Sequence, residues 1–516
     1  MISLGRRDGL LLLLLSGCVL LGAVAAGPAE FTPLPAWLYI PILLLFAVSA
    51  DARKRANPAN PLVAYFPVLF AGVLTVFCLL TQMPVLLWAF IIPNRFPLLA
   101  RAAWAVLVPV LLHPAVETMF YDTLWKGVCE LGRRGYWTTK IWITIPVLLL
   151  FLWPFHSQNL SPDGYDWLVH SIHPGHWIRY LREPFGTMTF RGVTLMGIWV
   201  GGLAPMLSIG LTTYLCGFAS VALLWGCLGR VCEEKEERFL WLLAALASCG
   251  FTQLFIGNIE IYAILMVAFT LFLLTALRYL DDAGEPIWVG FAFAILFVTH
   301  LSAGWWIPAF LLLPVIRNRG MNTRKRNGLN DTIDLAESSA LPVLLFVLWL
   351  LWYGYGADPD RMWDHFWGPQ VMQVGADGAM FRTVSEMVSS PIILTMVNEY
   401  FYLSPIVCGL LLFMVCRLCL PRLNRDVSFF GLLAGPYLLY SVVWRPDRKF
   451  PLDWDIFSGL TVPALLFLLV CLRQAIEDGE TRARIIRPLV TFSASLAILQ
   501  TLYNHFLRIS SWPLPN

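Results

Sequence analysis

Charge is what this sequence has least of. Asp, Glu, Lys and Arg make up 13% of its 516 residues, where a soluble globular chain carries about 25%. That scarcity excludes a water-soluble enzyme and a disordered chain, since disorder goes with high charge and low hydrophobicity. No internal repeat or low-complexity tract is present, which excludes a fibrous array. Strict apolar–polar alternation is also missing. Its place is taken by long unbroken apolar runs, which argues against an outer-membrane β-barrel. Eleven cysteines occur, but no pair sits in a long polar loop, so a disulfide framework is not expected and the thiols read as small hydrophobes. The net charge of +3 leaves no footprint for nucleic acid.

What the chain has is hydrophobicity: 58% apolar residues and a mean hydropathy of +0.69. The expected fold class is an all-α polytopic membrane protein. A helix needs roughly 20 mostly apolar residues to cross about 30 Å of hydrocarbon. Eleven core spans are centred on 141–155, 205–228, 239–255, 261–279, 287–300, 301–316, 341–355, 402–416, 429–443, 457–472 and 488–503. Residues 1–125 read as an appended bundle of three to five further helices, ahead of a core over 126–516. Arg6 and Arg7 before an apolar stretch resemble a secretory signal, but 37–50 is apolar again. An uncleaved first span and a signal peptide both fit.

Lysine and arginine in short loops set orientation. The densest basic cluster is Arg317, Arg319, Arg324, Lys325 and Arg326, so the loop after residue 316 is expected on the cytoplasmic side. Counting crossings puts 126–140, 230–238, 417–425 and 473–487 there too, each basic or mixed in charge. The opposite face receives the extracytoplasmic loops 156–191, 357–399 and 444–455, with the turns at 257–260 and 299–302.

That face carries the chemistry-bearing residues. Asp163 and Asp166 lie in Ser-Pro-Asp-Gly-Tyr-Asp just beyond the first core span. The residues alone allow a solvated acid capping a short helix, or a base or metal ligand at the membrane surface. Glu260, in Gly-Asn-Ile-Glu-Ile-Tyr between two apolar spans, sits where a charge is costly and usually functional. His300, in Thr-His-Leu-Ser, reads as a hydrogen-bonded notch. Arg445, Arg448 and Lys449 stand where the positive-inside rule disfavours them, followed by Asp453 and Asp455. They form either mutual surface ion pairs, which contribute little, or an anion site, since Arg and Lys suit phosphate oxygens. Histidines 170, 173 and 176 are spaced three apart but interrupted by Pro174 and Gly175, a poor metal pattern.

The order of these elements resembles the GT-C class of integral-membrane glycosyltransferases over residues 135–510, in particular poorly characterised bacterial members. The matching features are a basic stretch before the first core helix, the acid-bearing loop, Arg182-Glu183-Pro184 leading into an amphipathic segment, and the motifs around Glu260, His300 and Leu-Asp453-Trp-Asp455-Ile-Phe-Ser. An adjacent Asp-Asp or Glu-Asp pair in the first loop and a Trp-Trp-Asp signature are absent. The resemblance implies inverting transfer of a sugar from a polyprenyl-phosphate donor to a glycan, lipid or protein acceptor at the extracytoplasmic face of a bacterial cytoplasmic membrane. It implies Asp163 as base, with Asp166 as the fallback, and leaves a divalent metal at that acid open. Arg445, Arg448 and Lys449 would clamp phosphate. Glu183, Glu260, His300, Asp453 and Asp455 would contact or orient substrate. The rival readings are a secondary transporter or flippase-like carrier of an anionic lipid or solute, and a non-catalytic scaffold.

Overall fold

The computed structural model describes residues 36–56, 61–80, 96, 98–133, 184–256, 262–319, 328–355, 382–417, 421–444 and 454–506. Every extended element among them is a helix. The N-terminal part contributes α1 (Ala36–Ala56), α2 (Pro61–Leu80), α3 (Leu98–Leu111) and α4 (Pro114–Arg133). The core follows with α5 (Pro184–Trp199), α6 (Pro205–Val231), α7 (Lys235–Leu246), α8 (Cys249–Ile256), α9 (Tyr262–Leu280) and α10 (Pro286–Thr299). A 3-10 turn (Leu301–Trp306) leads to α11 (Ile307–Leu311), α12 (Leu313–Arg319) and α13 (Gly328–Tyr355). The chain closes with α14 (Val384–Met387), α15 (Ser390–Leu403), α16 (Pro405–Cys416), α17 (Arg425–Val443), a second 3-10 turn (Trp454–Leu460), α18 (Thr461–Ala475) and α19 (Gly479–Phe506).

Six described helices are long and apolar enough to cross a bilayer singly, and three bent pairs could each make one more span. The chain is therefore a polytopic helical membrane protein. Local signals start the helices where they should. Proline occupies the first turn of α6, α10 and α16, where a missing N–H costs nothing. The Asn424 side chain accepts from Val427 N at 2.9 Å to cap α17.

Helix α9 is the centre of the bundle, and it packs against α6 and α10. Its Phe272 meets Phe293 at 5.3 Å, and Phe293 stacks on Phe310 at 4.2 Å. Outward-facing apolar side chains such as Trp288, Leu345 and Leu412 are exposed, as lipid-facing positions should be. The nine cysteines of the described residues are free. Burial pushes the Cys232 thiol, just past the end of α6, up to about 12, so it is an inert small side chain.

Three expectations from the sequence need correction. The span expected over 239–255 is two helices, α7 and α8, bent by 67°. The span expected over 402–416 is the second half of a pair, α15 and α16, bent by 112°. The span expected over 301–316 is a 3-10 turn plus two short helices, because Pro308 and Pro314 remove backbone donors and restart the chain. The first core span and most of the outer loops lie outside the described residues.

The N-terminal helices pack against the core. Their apolar residues belong to the same continuous core as α6–α19. Phe66 meets Phe413 at 5.3 Å, Trp104 Nε1 donates to Ser495 Oγ at 3.2 Å, and Tyr121 donates to the Arg487 carbonyl at 2.9 Å.

One end of the bundle is a rim of ion pairs. Arg53 pairs with Glu117. Arg482 reaches Glu237 at 2.8 Å, Arg487 reaches Glu236 at 2.8 Å, and Arg473 reaches Glu233 at 3.5 Å. Arg425 holds Asp281 at 3.1 Å, and Arg317 pairs with Asp282. Arg317, Arg425, Arg473, Arg482, Arg487, Glu233, Glu236 and Glu237 come from loops that the basic-residue rule groups on one side, and here they share one end of the bundle.

Candidate functional site

The opposite end is built by helices that stop short. Measured from the ionic rim at 1.5 Å per residue, α7 and α16, of 12 residues each, reach about 18 Å. Helix α10, of 14 residues, reaches about 21 Å, and α18, of 15, about 22 Å. Helices α9 and α17, of 19 residues each, continue to about 28 Å. Four elements thus end or break at similar lengths from the rim, about 18–22 Å.

Buried polar side chains collect at that depth. The α7–α8 break meets the α15–α16 break through a hydrogen bond of 2.7 Å between the Ser248 and Ser404 hydroxyls. Ser248 also donates back to Ala244 O at 2.9 Å, so Ser404 is the donor between them. Tyr402 donates to Gln253 Oε1 at 3.2 Å. Hydroxyls at helix breaks satisfy backbone groups that a continuous helix would have paired.

His300 is on this layer and 7% exposed. It is the residue after α10 and caps the 3-10 turn, with its Nδ1 accepting from Ser302 N at 3.0 Å. Its ring lies 5.2 Å from that of Tyr262, the first residue of α9. From the same turn an aromatic ladder runs outward. Trp306 meets Tyr437 at 4.7 Å, Trp305 meets Tyr440 at 5.4 Å, and Tyr440 meets Trp444 at 5.5 Å and Phe457 at 5.8 Å.

These rings are the anchors of the motif-bearing segments. Tyr262 directly follows 257–261, and Trp444 directly precedes 445–453. Arg382, where description resumes after 356–381, donates its backbone N–H to Val443 O at 2.8 Å. Its guanidinium Nη1 donates to Ser441 O and Val442 O at 3.1 and 2.8 Å, closing the C-terminal carbonyls of α17. Tyr262, Trp444 and Arg382, which border 257–261, 445–453 and 356–381, are thus linked through ring contacts and the end of α17 to the His300–Trp306 turn. Of the residues singled out in the sequence, Asp163, Asp166, Glu183, Glu260, Arg445, Arg448, Lys449 and Asp453 lie outside the described residues. Asp455 falls in the second 3-10 turn, without a described side chain. His300 is the one whose surroundings are visible.

The sequence reading missed Asn398 and Glu399, both wholly buried in α15. Glu399 is close enough to Cys249 and Tyr400 to act on them electrostatically, and the Tyr400 hydroxyl is bonded to that of Ser441. A carboxylate inside a membrane bundle is a functional-site hypothesis by default. The signal was available: Asn398-Glu399 is a polar pair inside the apolar run 391–403. The boundary drawn for the loop 357–399 treated it as the loop's last residues.

Among the described residues, no group of three or more His, Cys, Asp or Glu could hold a metal ion. A cavity of about 290 Å³ lies at the other end, under α4 and between the first turns of α7 and α19. Its acids Glu236 and Glu237 are in ion pairs and complement a helix N-terminus. No family model, curated protein or solved structure matches the chain.

Proposed function

We propose that this protein is a GT-C-like membrane glycosyltransferase, moving a sugar from a polyprenyl-phosphate donor to an acceptor at the extracytoplasmic face. The observation that carries this reading is that described residues next to 257–261, 356–381 and 445–453 gather around the buried His300 turn. Segments 257–261 and 445–453 hold Glu260, Arg445, Arg448, Lys449 and Asp453, the residues the sequence offers for substrate. A lipid-linked sugar presents its reactive carbon at headgroup level, which suits a site in the outer third of a bundle. In this reading Asp163 takes the acceptor proton, Arg445, Arg448 and Lys449 neutralise charge building on the departing phosphate, and Glu260, His300 and Asp453 orient the sugar. Buried, fixed donors act strongly on such charge because water is excluded.

The test is transfer of labelled sugar from a polyprenyl-phosphate donor in proteoliposomes. Asp163→Asn should lower the rate by about 10²–10⁴-fold, the usual contribution of a general base, while insertion and melting temperature stay unchanged. Transfer at the wild-type rate would remove Asp163 from the mechanism.

The buried Glu399 beside the meeting of two bent helix pairs favours a second reading, a carrier for an anionic lipid or solute. Secondary transporters place their sites at broken helices. A carrier would expose position 300 to each side of the membrane in turn, a transferase to one side only.

A further inference from the structure

Helix α4 turns away from α3 by 83° across Leu112 and His113. The level of that corner is set by α1. Ser49 Oγ donates to Pro109 O at 2.7 Å, and Arg53 Nε donates to Leu112 O at 3.0 Å. Since Arg53 belongs to the ionic rim through its pair with Glu117, α3 ends level with the rim.

From the corner, α4 keeps to that level. Glu117, Tyr121 and Trp125 are spaced four apart and so share one face. Each meets the rim end of a different helix. Glu117 pairs with Arg53 of α1, Tyr121 donates to the Arg487 carbonyl of α19 at 2.9 Å, and the Trp125 ring lies 5.7 Å from that of Phe239 in α7. A helix that touches three rim ends over three successive turns runs along the rim. It does not climb through the bundle as the second half of a bent span would.

The rest of its surface is two-sided. Phe120 and Leu124, also four apart, are 40% and 36% exposed beside the packed face. Asp122 and Lys126 each follow by two residues, which places them about 200° further round at 3.6 residues per turn. An apolar flank opposite a charged one is the pattern of helices lying in a membrane interface. What covers the flank is indicated by the surface it adjoins. Val48 of α1 and Leu99 and Val106 of α3 are exposed apolar side chains of membrane-embedded helices. Val48 directly precedes the serine that holds the end of α3, so this lipid-facing surface reaches the corner where α4 begins.

We propose that α4 is an interfacial helix seated in the leaflet beside the ionic rim. Phe120 and Leu124 enter the lipid, Asp122 and Lys126 face water, and the partner of the flank is the lipid surface. The helices α3 and α4 are then one crossing followed by a surface segment. This assignment is independent of the glycosyltransferase reading.

The test is collision-based electron paramagnetic resonance on the full chain in phosphatidylcholine–phosphatidylglycerol nanodiscs. A ketone-bearing amino acid placed singly at position 120, 122, 124 or 126 takes a nitroxide without involving the eleven native cysteines. Nitroxides at 120 and 124 should collide more with oxygen, which concentrates in lipid, than with a water-soluble nickel chelate. Those at 122 and 126 should show the reverse. Nickel-dominated collisions at 120 and 124 would place the flank in water and overturn the proposal. Weak collisions with both reagents there would mean that protein covers the flank, which overturns it equally. Oxygen-dominated collisions at all four positions would make α4 part of a crossing and end the surface assignment.

Discussion

At the residue scale, one charged group with readable partners gives a signed pH prediction. Asp478 lies just before α19 and accepts from the Thr481 backbone N–H at 2.8 Å and from its hydroxyl. The Thr481 hydroxyl first, then the backbone donor, hold this carboxyl below its ordinary range. A depressed carboxylate contributes stability that is fully present above its unfolded value of about 3.9. That contribution is lost as pH falls through the lower folded value. The acid-side loss of melting temperature should therefore be shallower in Asp478→Asn than in wild type, because Asn keeps the cap but does not titrate. Identical acid limbs in a thermal melt series would show that Asp478 contributes nothing. His300 was legible in the sequence because Thr-His-Leu-Ser interrupts two apolar runs. What the sequence could not show is which ring nitrogen the turn occupies.

At the element scale, hydropathy locates apolar helices well and their breaks poorly. Windows over 205–228, 261–279 and 429–443 correspond to α6, α9 and α17, because continuous apolar helices have no competing local signal. The window over 239–255 hid a 67° bend at Ala247–Ser248, since a buried serine scarcely lowers hydropathy. Its partner break at Ser404–Pro405 was marked by proline, yet the direction of α15 depends on packing that no local signal carries. The bend is fixed by close approach. A Cβ on Gly250 would lie 2.6 Å from Thr461 Oγ1 and 2.7 Å from a Leu403 methyl. Both atoms belong to packed, buried residues, so neither has room to move. Gly250→Ala should thus destabilise the protein by about 1–3 kcal/mol, the usual range for overpacking a core. A fall in melting temperature in detergent, with Gly435→Ala unchanged as the open-space control, would bear this out. Equal melting of both variants would mean that the contacts of Gly250 with Thr461 of α18 and Leu403 of α15 are looser than 2.6 and 2.7 Å imply.

At the scale of the whole molecule, the sequence reads as an appended N-terminal bundle over 1–125 and a core over 126–516, the resemblance covering 135–510 alone. Rings from both parts interlock, and Tyr121 and Arg53 donate to carbonyls of α19, so the first helices support the last one.

Short basic loops alternate with acid- and aromatic-bearing ones, which sets an expected sidedness. The ion-pair rim agrees with it, joining Arg230, Asp281 and Arg425 across three helix ends. Leu423, 80% exposed beside that rim, and Val388, 67% exposed at the far end, should then face opposite compartments. In oriented vesicles lacking the exposed Cys416, a membrane-impermeant thiol reagent should modify Leu423→Cys from the cytoplasmic side and Val388→Cys from the other side only. His300→Cys separates the two functional readings on the same vesicles. A site fixed in the outer third predicts labelling from the Val388 side alone. An alternating carrier predicts labelling from both, because each conformation must open the layer around Ser248, Ser404 and Glu399 to a different compartment. Labelling of Val388→Cys and Leu423→Cys from one shared side would contradict the rim itself, and with it the placement of the His300 turn in the outer leaflet.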